Sequence, residues 1–400
     1  MLKTLTIDEL EVGMFVKDIV LKSSKHKVKN QGVVHSARTI DMLKKQGVCS
    51  VVVECKTTEK TSPVPADNTS SNPTDNSVTN IDKNDNAINK SLAEEFERCC
   101  AIYDEASETI RKLFNVSNQT THTLSASAIS ALASEITTSV IRNEYAITIL
   151  TRIRDRSAYQ WEHAINCAVI ICGFGLYLGL KKETVEQMTL GALVHDAGLA
   201  KVSRAILEKS GPLTENEMGV VKKHVIWGIE LCKRDGFDSP IIIDMIANHH
   251  ERLDGSGYPR GLTGDKISKL AKITAIVDVY DAMTGDRPYK KGEHPLKVFR
   301  FLMSHQAQFD QKLVQQFIKY LGVYPVGSLV KLSSDKLAAV TEGNRINPVK
   351  PKVKIIYNLK LSHTITPSDF DLKNSEITIE SAVNAEDYGI NLSKIIRDSI

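Results

Sequence analysis

A chain of 400 residues, 42% of them hydrophobic, has room for two or three domains and a sizeable buried core. Its formal net charge of +3 is too small to mark a partner of polymeric nucleic acid or of an anionic membrane surface. Seven cysteines, odd in number and without a CxxC pair, argue against a disulfide framework and suit a reducing cytoplasm.

Residues 1–56 read as a small α+β unit. The N-terminus lacks the apolar core of a signal peptide, which again points to the cytoplasm. Gly13–Val20 and the valine-rich Val48–Glu54 have strand character, and Ala37–Gln46 has helical spacing. His26 and His35 read as surface residues, and no acidic cluster marks a phospho-acceptor site. Residues 57–90 are dominated by Ser, Thr, Asn, Asp and Pro and read as a disordered linker. Residues 91–158 predict two helices, one through Leu92, Phe96, Cys99 or Cys100, Tyr103 and Ile110, the other over Ser125–Ile153. Both read as scaffold or homodimer helices.

Residues 159–326 read as one domain, nearly all helix from about Tyr159 to His305. The longest apolar run, Cys167–Leu180, is shorter than the roughly 20 residues a membrane span needs and holds three glycines, so it reads as a buried helix. Residues 327–400 read as a small β appendage, with a last helix over Leu313–Leu321 before it and valine- and isoleucine-rich runs at Ser328–Leu332, Ala338–Thr341 and Lys352–Tyr357.

Five of the eleven histidines fall between His163 and His250. His195-Asp196 follows Val185, Met188 and Ala192 at helical spacing, so the pair continues a buried face, with Gly198 as a stop for the helix. His163 shares a face with Asn166, Cys167, Ile170 and Phe174. His224 lies on a helix opened by the capping box Thr214–Glu217. His249-His250 closes a helix that Ser239-Pro240 opens. Asp278 stands in the apolar stretch Ala275–Ala282, where burial is costly without a partner, and Asp281 and Thr274 share its side. Alone, His163 and His224 are most simply satisfied core residues and His195-Asp196 a polar helix end, whereas His249 and His250, after Ile241–Ile243, are hard to bury without a partner. Together they form an imidazole and carboxylate set without a thiolate, which favours iron, manganese or another transition metal. Two such cations, about 3.5–4 Å apart, clamp the attacking and leaving oxygens of a phosphoester. Asp196 is the natural carboxylate to bridge them.

His195-Asp196, followed by His249-His250-Glu251-Arg252-Leu253-Asp254-Gly255-Ser256-Gly257-Tyr258-Pro259, resembles the HD-GYP family of cyclic dinucleotide phosphodiesterases over about residues 154–326. The resemblance implies a mainly α protein whose HD-type helical catalytic domain is flanked by the two small units. It implies hydrolysis of cyclic di-GMP, or of cyclic GMP-AMP, to a linear dinucleotide or mononucleotides. By position, His163, His195, Asp196 and Asp278 would hold one metal, and Asp196, His224, His249 and His250 the other. The family's three-metal members carry a glutamate four residues before the first histidine; Tyr159 stands there, which favours two ions. Tyr258, and Arg287 and Lys290 of an RPY segment, would bind substrate, the last two at its phosphates. The GYP turn and the N-terminal unit would meet protein partners.

One position departs from the family. Its HDxGK lysine is Leu199 here, with Lys201 two residues on. The departure motivates an alternative, a non-catalytic cyclic dinucleotide receptor with a metal-bearing pocket. A third reading, an HD phosphohydrolase of mononucleotides, is opposed by the GYP turn.

Overall fold

The computed structural model describes residues 2–10, 14–21, 27–33, 40, 44, 48–54, 90–114, 125–153, 159–285 and 291–400. The chain divides into two units, residues 1–76 and 77–400. In the first, strands β1 (Leu2–Thr6), β2 (Phe15–Leu21), β3 (Lys27–Val33) and β4 (Val48–Glu54) form an antiparallel sheet in the order β1-β4-β2-β3. Its core is Leu5, Ile7, Leu10, Val16, Val48, Val51 and Val53, so the valine run is a central strand because it is buried. The two expected strands are joined by β1 and β3. Most of Ala37–Gln46, His26, His35 and residues 57–89 of the expected linker lie outside the described residues.

The second unit is helical up to Leu321. It begins with α1 (Leu92–Phe114), on which Cys99 rather than Cys100 faces the core. The expected helix Ser125–Ile153 is two helices, α2 (Ala126–Arg142) and α3 (Glu144–Ile153). Asn143 divides them with extended backbone, and its Oδ1 accepts from the Tyr145 and Ala146 N–H groups that open α3. The apolar run becomes α4 (Tyr159–Tyr177), the centre of the bundle, packed against α1, α2, α3 and α5 (Lys182–Val194). A helix apolar on nearly every side has to be enclosed in this way. None of the described helices is long and apolar enough to cross a membrane.

Four more helices follow, α6 (Arg204–Leu207), α7 (Glu215–Lys222), α8 (His224–Arg234) and α9 (Pro240–Asn248), and α9 packs against both α5 and α8. The Thr214–Glu217 capping box forms, but its helix stops at Lys222, and His224 opens a new one. Then come α10 (Lys269–Thr284), α11 (Pro295–Ser304) and α12 (Gln311–Leu321). The C-terminal appendage is an antiparallel sheet of five strands, β5 (Leu329–Leu332), β6 (Lys336–Glu342), β7 (Lys352–Asn358), β8 (His363–Asp371) and β9 (Ile379–Ala382), in the order β8-β7-β6-β5-β9. The helix at Leu313–Leu321 is not the last. An Asn391 cap opens α13 (Leu392–Ser399), whose Ile396 is buried.

Candidate metal centre

Three histidines stand at helix ends, and the ends orient them. His195 follows the last residue of α5, His249 follows α9, and His224 follows the break after α7. The last carbonyls of a helix have no partner within it. His195 Nδ1 donates to Ala192 O at 2.7 Å, His224 Nδ1 to Val221 O at 2.8 Å and His249 Nδ1 to Ile246 O at 2.9 Å. A carbonyl only accepts, so each Nδ1 carries a proton and each Nε2 is the ring nitrogen left to face the site.

Those Nε2 atoms converge on Asp196. Its Oδ1 lies 3.3 Å from His224 Nε2 and 3.6 Å from His249 Nε2, and its Oδ2 lies 3.5 Å from His195 Nε2. The two carboxylate oxygens thus face different histidines. His224 and His249 bring their Nε2 atoms within 3.4 Å of each other, and His195 Nε2 is buried with no hydrogen-bond partner among the described residues. Buried ring nitrogens that crowd one another and a carboxylate call for a cation between them. The site therefore fits a metal on its own geometry.

A second group adjoins the first. On α4, His163 Nδ1 lies 2.8 Å from Asp281 Oδ2 and Nε2 lies 3.1 Å from Asp278 Oδ1. The other oxygen of Asp278 is 3.7 Å from His250 Nδ1, so Asp278 spans the two groups. Asp196, His224, His249 and His250 have ligand atoms close enough to share one ion, and His163, His195 and Cys167 form a second such cluster. The thiol was not expected. Cys167 Sγ sits 3.8 Å from both ring nitrogens of His163, one turn on along α4, and burial pushes it up to about 12.

The electrostatics sort the histidines. Burial lowers the pKa of His195, His224 and His250, which favours the neutral, ligating form. Burial also opposes charge on His163, but Cys167, Asp278 and Asp281 outweigh it and raise the value well above the ordinary one. His249 is likewise raised against burial, by Asp196. Asp196 and Asp278 are held below the usual carboxylate range because their histidine neighbours outweigh burial. Metal uptake is therefore favoured at His195, His224 and His250 and competes with the protons that His163 and His249 hold more tightly. Affinity is expected to fall by about tenfold per pH unit for each displaced proton as the solution is acidified. Calorimetric titration in two buffers of different ionisation enthalpy measures the release; equal heats in both would contradict it.

Glycines let the parts meet. The helix that carries His195 ends at Val194, and Gly198 lies within the next 3-10 turn, Ala197–Lys201, instead of stopping the helix. A Cβ on Gly198 would stand 1.9 Å from His224 O, so only glycine brings this turn onto α8 and Asp196 to His224. In the turn after His250, a Cβ on Gly257 would meet the backbone of His250, Glu251 and Arg252 at 2.5 Å. Glu251 is buried and accepts the Arg260 N–H and the Leu262 N–H at 2.8 Å each. It anchors the loop rather than adding a ligand, a role its place beside two histidines conceals. The loop puts Tyr258 on His250, ring centroids 4.6 Å apart at 28°. Arg287 and Lys290 lie outside the described residues.

A bundle whose histidines and aspartates converge in this way around a His-Asp pair is an HD domain. The family model for the HD domain matches residues 153–313, and a domain of unknown function, DUF3391, matches residues 2–119. A cyclic di-GMP phosphodiesterase of Pseudomonas aeruginosa is 30% identical over 374 residues, 93% of this chain and 89% of that protein. A 3'3'-cGAMP-specific phosphodiesterase of Vibrio cholerae is 34% identical over 155 residues, 38% of this chain and 35% of that protein. The solved HDGYP protein of Bdellovibrio bacteriovorus aligns with 79% of this chain and 98% of its own, at 13% identity and a TM-score of 0.47. The chain belongs to the HD-GYP family.

Proposed function

We propose that this chain is a metal-dependent phosphodiesterase that opens a cyclic dinucleotide, cyclic di-GMP foremost. The observation that carries the reading is the convergence of the Nε2 atoms of His195, His224 and His249 on the two oxygens of Asp196. In this reading His163, His195, Asp196 and Asp278 would hold one ion and His224, His249 and His250 the other, with Asp196 shared between them. Iron or manganese suits such a nitrogen and oxygen set. Divalent ions bound here supply Lewis acidity at the phosphoryl oxygens and an activated water.

The protein's own groups do the rest. The Nδ1–H bonds to helix-end carbonyls keep the rings from turning, so the ligand atoms are pre-set. Asp281 fixes the His163 ring from behind. Glu251 holds the GYP loop, and Tyr258 walls the site beside His250, where its ring offers a stacking face to a purine. Arg287 and Lys290 are assigned to the phosphates. The N-terminal sheet serves as an input module open to protein partners, and the chain acts in the cytoplasm, in keeping with free thiols at Cys99, Cys100, Cys167, Cys172 and Cys232.

Product analysis of metal-loaded protein, given cyclic di-GMP and cyclic GMP-AMP in parallel, tests the reading. The linear dinucleotide from cyclic di-GMP is the expected result. Tight binding of both without any product would favour the receptor alternative raised by Leu199.

A further inference from the structure

Leu199 leaves the His-Asp turn without a cation. Its side chain is partly buried against the core. Lys201 does not take its place: the ammonium lies 3.1 Å from Glu230 Oε2 on the exposed side of α8. A cyclic dinucleotide nevertheless carries two phosphodiester anions, and a pocket that binds it needs positive charge where they lie.

Another lysine stands at the mouth of the site. Lys222 ends α7, two residues before His224, and its Nζ lies 5.1 Å from the centre of the Tyr258 ring. That ring stacks on His250 and meets His224 edge-on, with centroids 6.4 Å apart. Lys222 is exposed, and no carboxylate among the described residues pairs with it. An exposed ammonium held only over the face of a half-buried aromatic ring is weakly retained, because water competes for it. Its flexible four-carbon stem lets it leave the ring for a stronger partner. The backbone break at Lys223 fixes where this lysine sits, since it ends the helix that carries Lys222 and starts the one that carries His224.

We infer that Lys222 is a substrate-binding residue: it hands its ammonium from the Tyr258 ring to a phosphodiester oxygen of the bound cyclic dinucleotide and supplies the phosphate cation that Leu199 does not. The inference rests on the proposed phosphodiesterase reading and adds a residue to it.

The test is equilibrium binding of a hydrolysis-resistant bis-phosphorothioate analogue of cyclic di-GMP to metal-loaded wild type, Lys222→Gln and Lys222→Arg. Loss of one charge-assisted hydrogen bond is expected to weaken binding by Lys222→Gln about 10–100-fold. Lys222→Arg is expected to stay near wild type. Added salt is expected to weaken wild-type binding more than that of Lys222→Gln, because the lost contact is the screened one. Metal content and Tm, measured alongside, are expected to match wild type in both variants. Wild-type affinity in Lys222→Gln would overturn the role of Lys222 alone. So would equal losses in both variants with an unchanged salt dependence, since a lysine that merely props Tyr258 behaves in that way. A wild-type protein that binds no analogue would overturn the phosphodiesterase reading itself, and this proposal with it.

Discussion

Asp196→Asn is expected to abolish hydrolysis and to lower metal content while the fold survives. Asparagine keeps the shape of the side chain but removes the charge that faces His195 on one oxygen and His224 and His249 on the other. Losing a single stabilising donor at a reacting centre costs roughly 100–1,000-fold in rate. A bridging carboxylate serves both ions at once, so the expected loss is at least on the order of 1,000-fold. The substitution adds no volume and leaves the Nδ1–H bonds of the three histidines in place, so the metal-free variant is expected to fold, with Tm lowered only by the loss of the charge that Asp196 sets against its histidine neighbours. Turnover with unchanged metal content would show that Asp196 does not bridge.

Leu199→Lys is expected to act in the opposite direction and raise kcat, on the order of 100-fold, through charge stabilisation in the transition state. The fold should tolerate the change. The Leu199 backbone is held in its 3-10 turn by the bond from its N–H to Asp196 O and by the Val202 N–H that its carbonyl accepts. A lysine stem can cover the same apolar surface while its ammonium reaches outward. Lys201→Ala is expected to leave the rate unchanged, because its ammonium is occupied by Glu230. Single-turnover rates of the three proteins decide the matter. A brisk wild type, unimproved by Leu199→Lys, would show that this position is dispensable.

Much of the site was legible because its signals are local. His195-Asp196 and the run from His249 to Pro259 are contiguous, and helical spacing alone turns His163 and Asp278 inward. What stayed hidden depends on contacts between distant segments. Gly198 reads as a helix stop, yet its reason is the backbone of His224, 26 positions away, which no periodicity displays. The break at Lys223 interrupts a pattern that otherwise continues as one helix. Asn143 divides a helix because its side chain prefers to cap the next one, a choice that spacing does not encode. Cys167 reads as one more small apolar residue of a buried helix, and only packing sets its sulfur against His163. The β appendage was legible at its three valine- and isoleucine-rich strands and not at β8 and β9, whose residues are mostly exposed and lack that composition.

Hydrolysis of the cyclic dinucleotide is proposed to need two cations, which Asp196 would bridge. The most direct test is to remove the metal, confirm that the protein remains folded, and return ferrous or manganous ion stepwise while initial hydrolysis of cyclic di-GMP and bound metal are measured together. The expected result is negligible turnover without metal and a rate that rises to a plateau at about two ions per chain, the number that a shared bridging carboxylate calls for. Full activity in the folded, metal-free protein would contradict the claim, as would a plateau reached with a single ion.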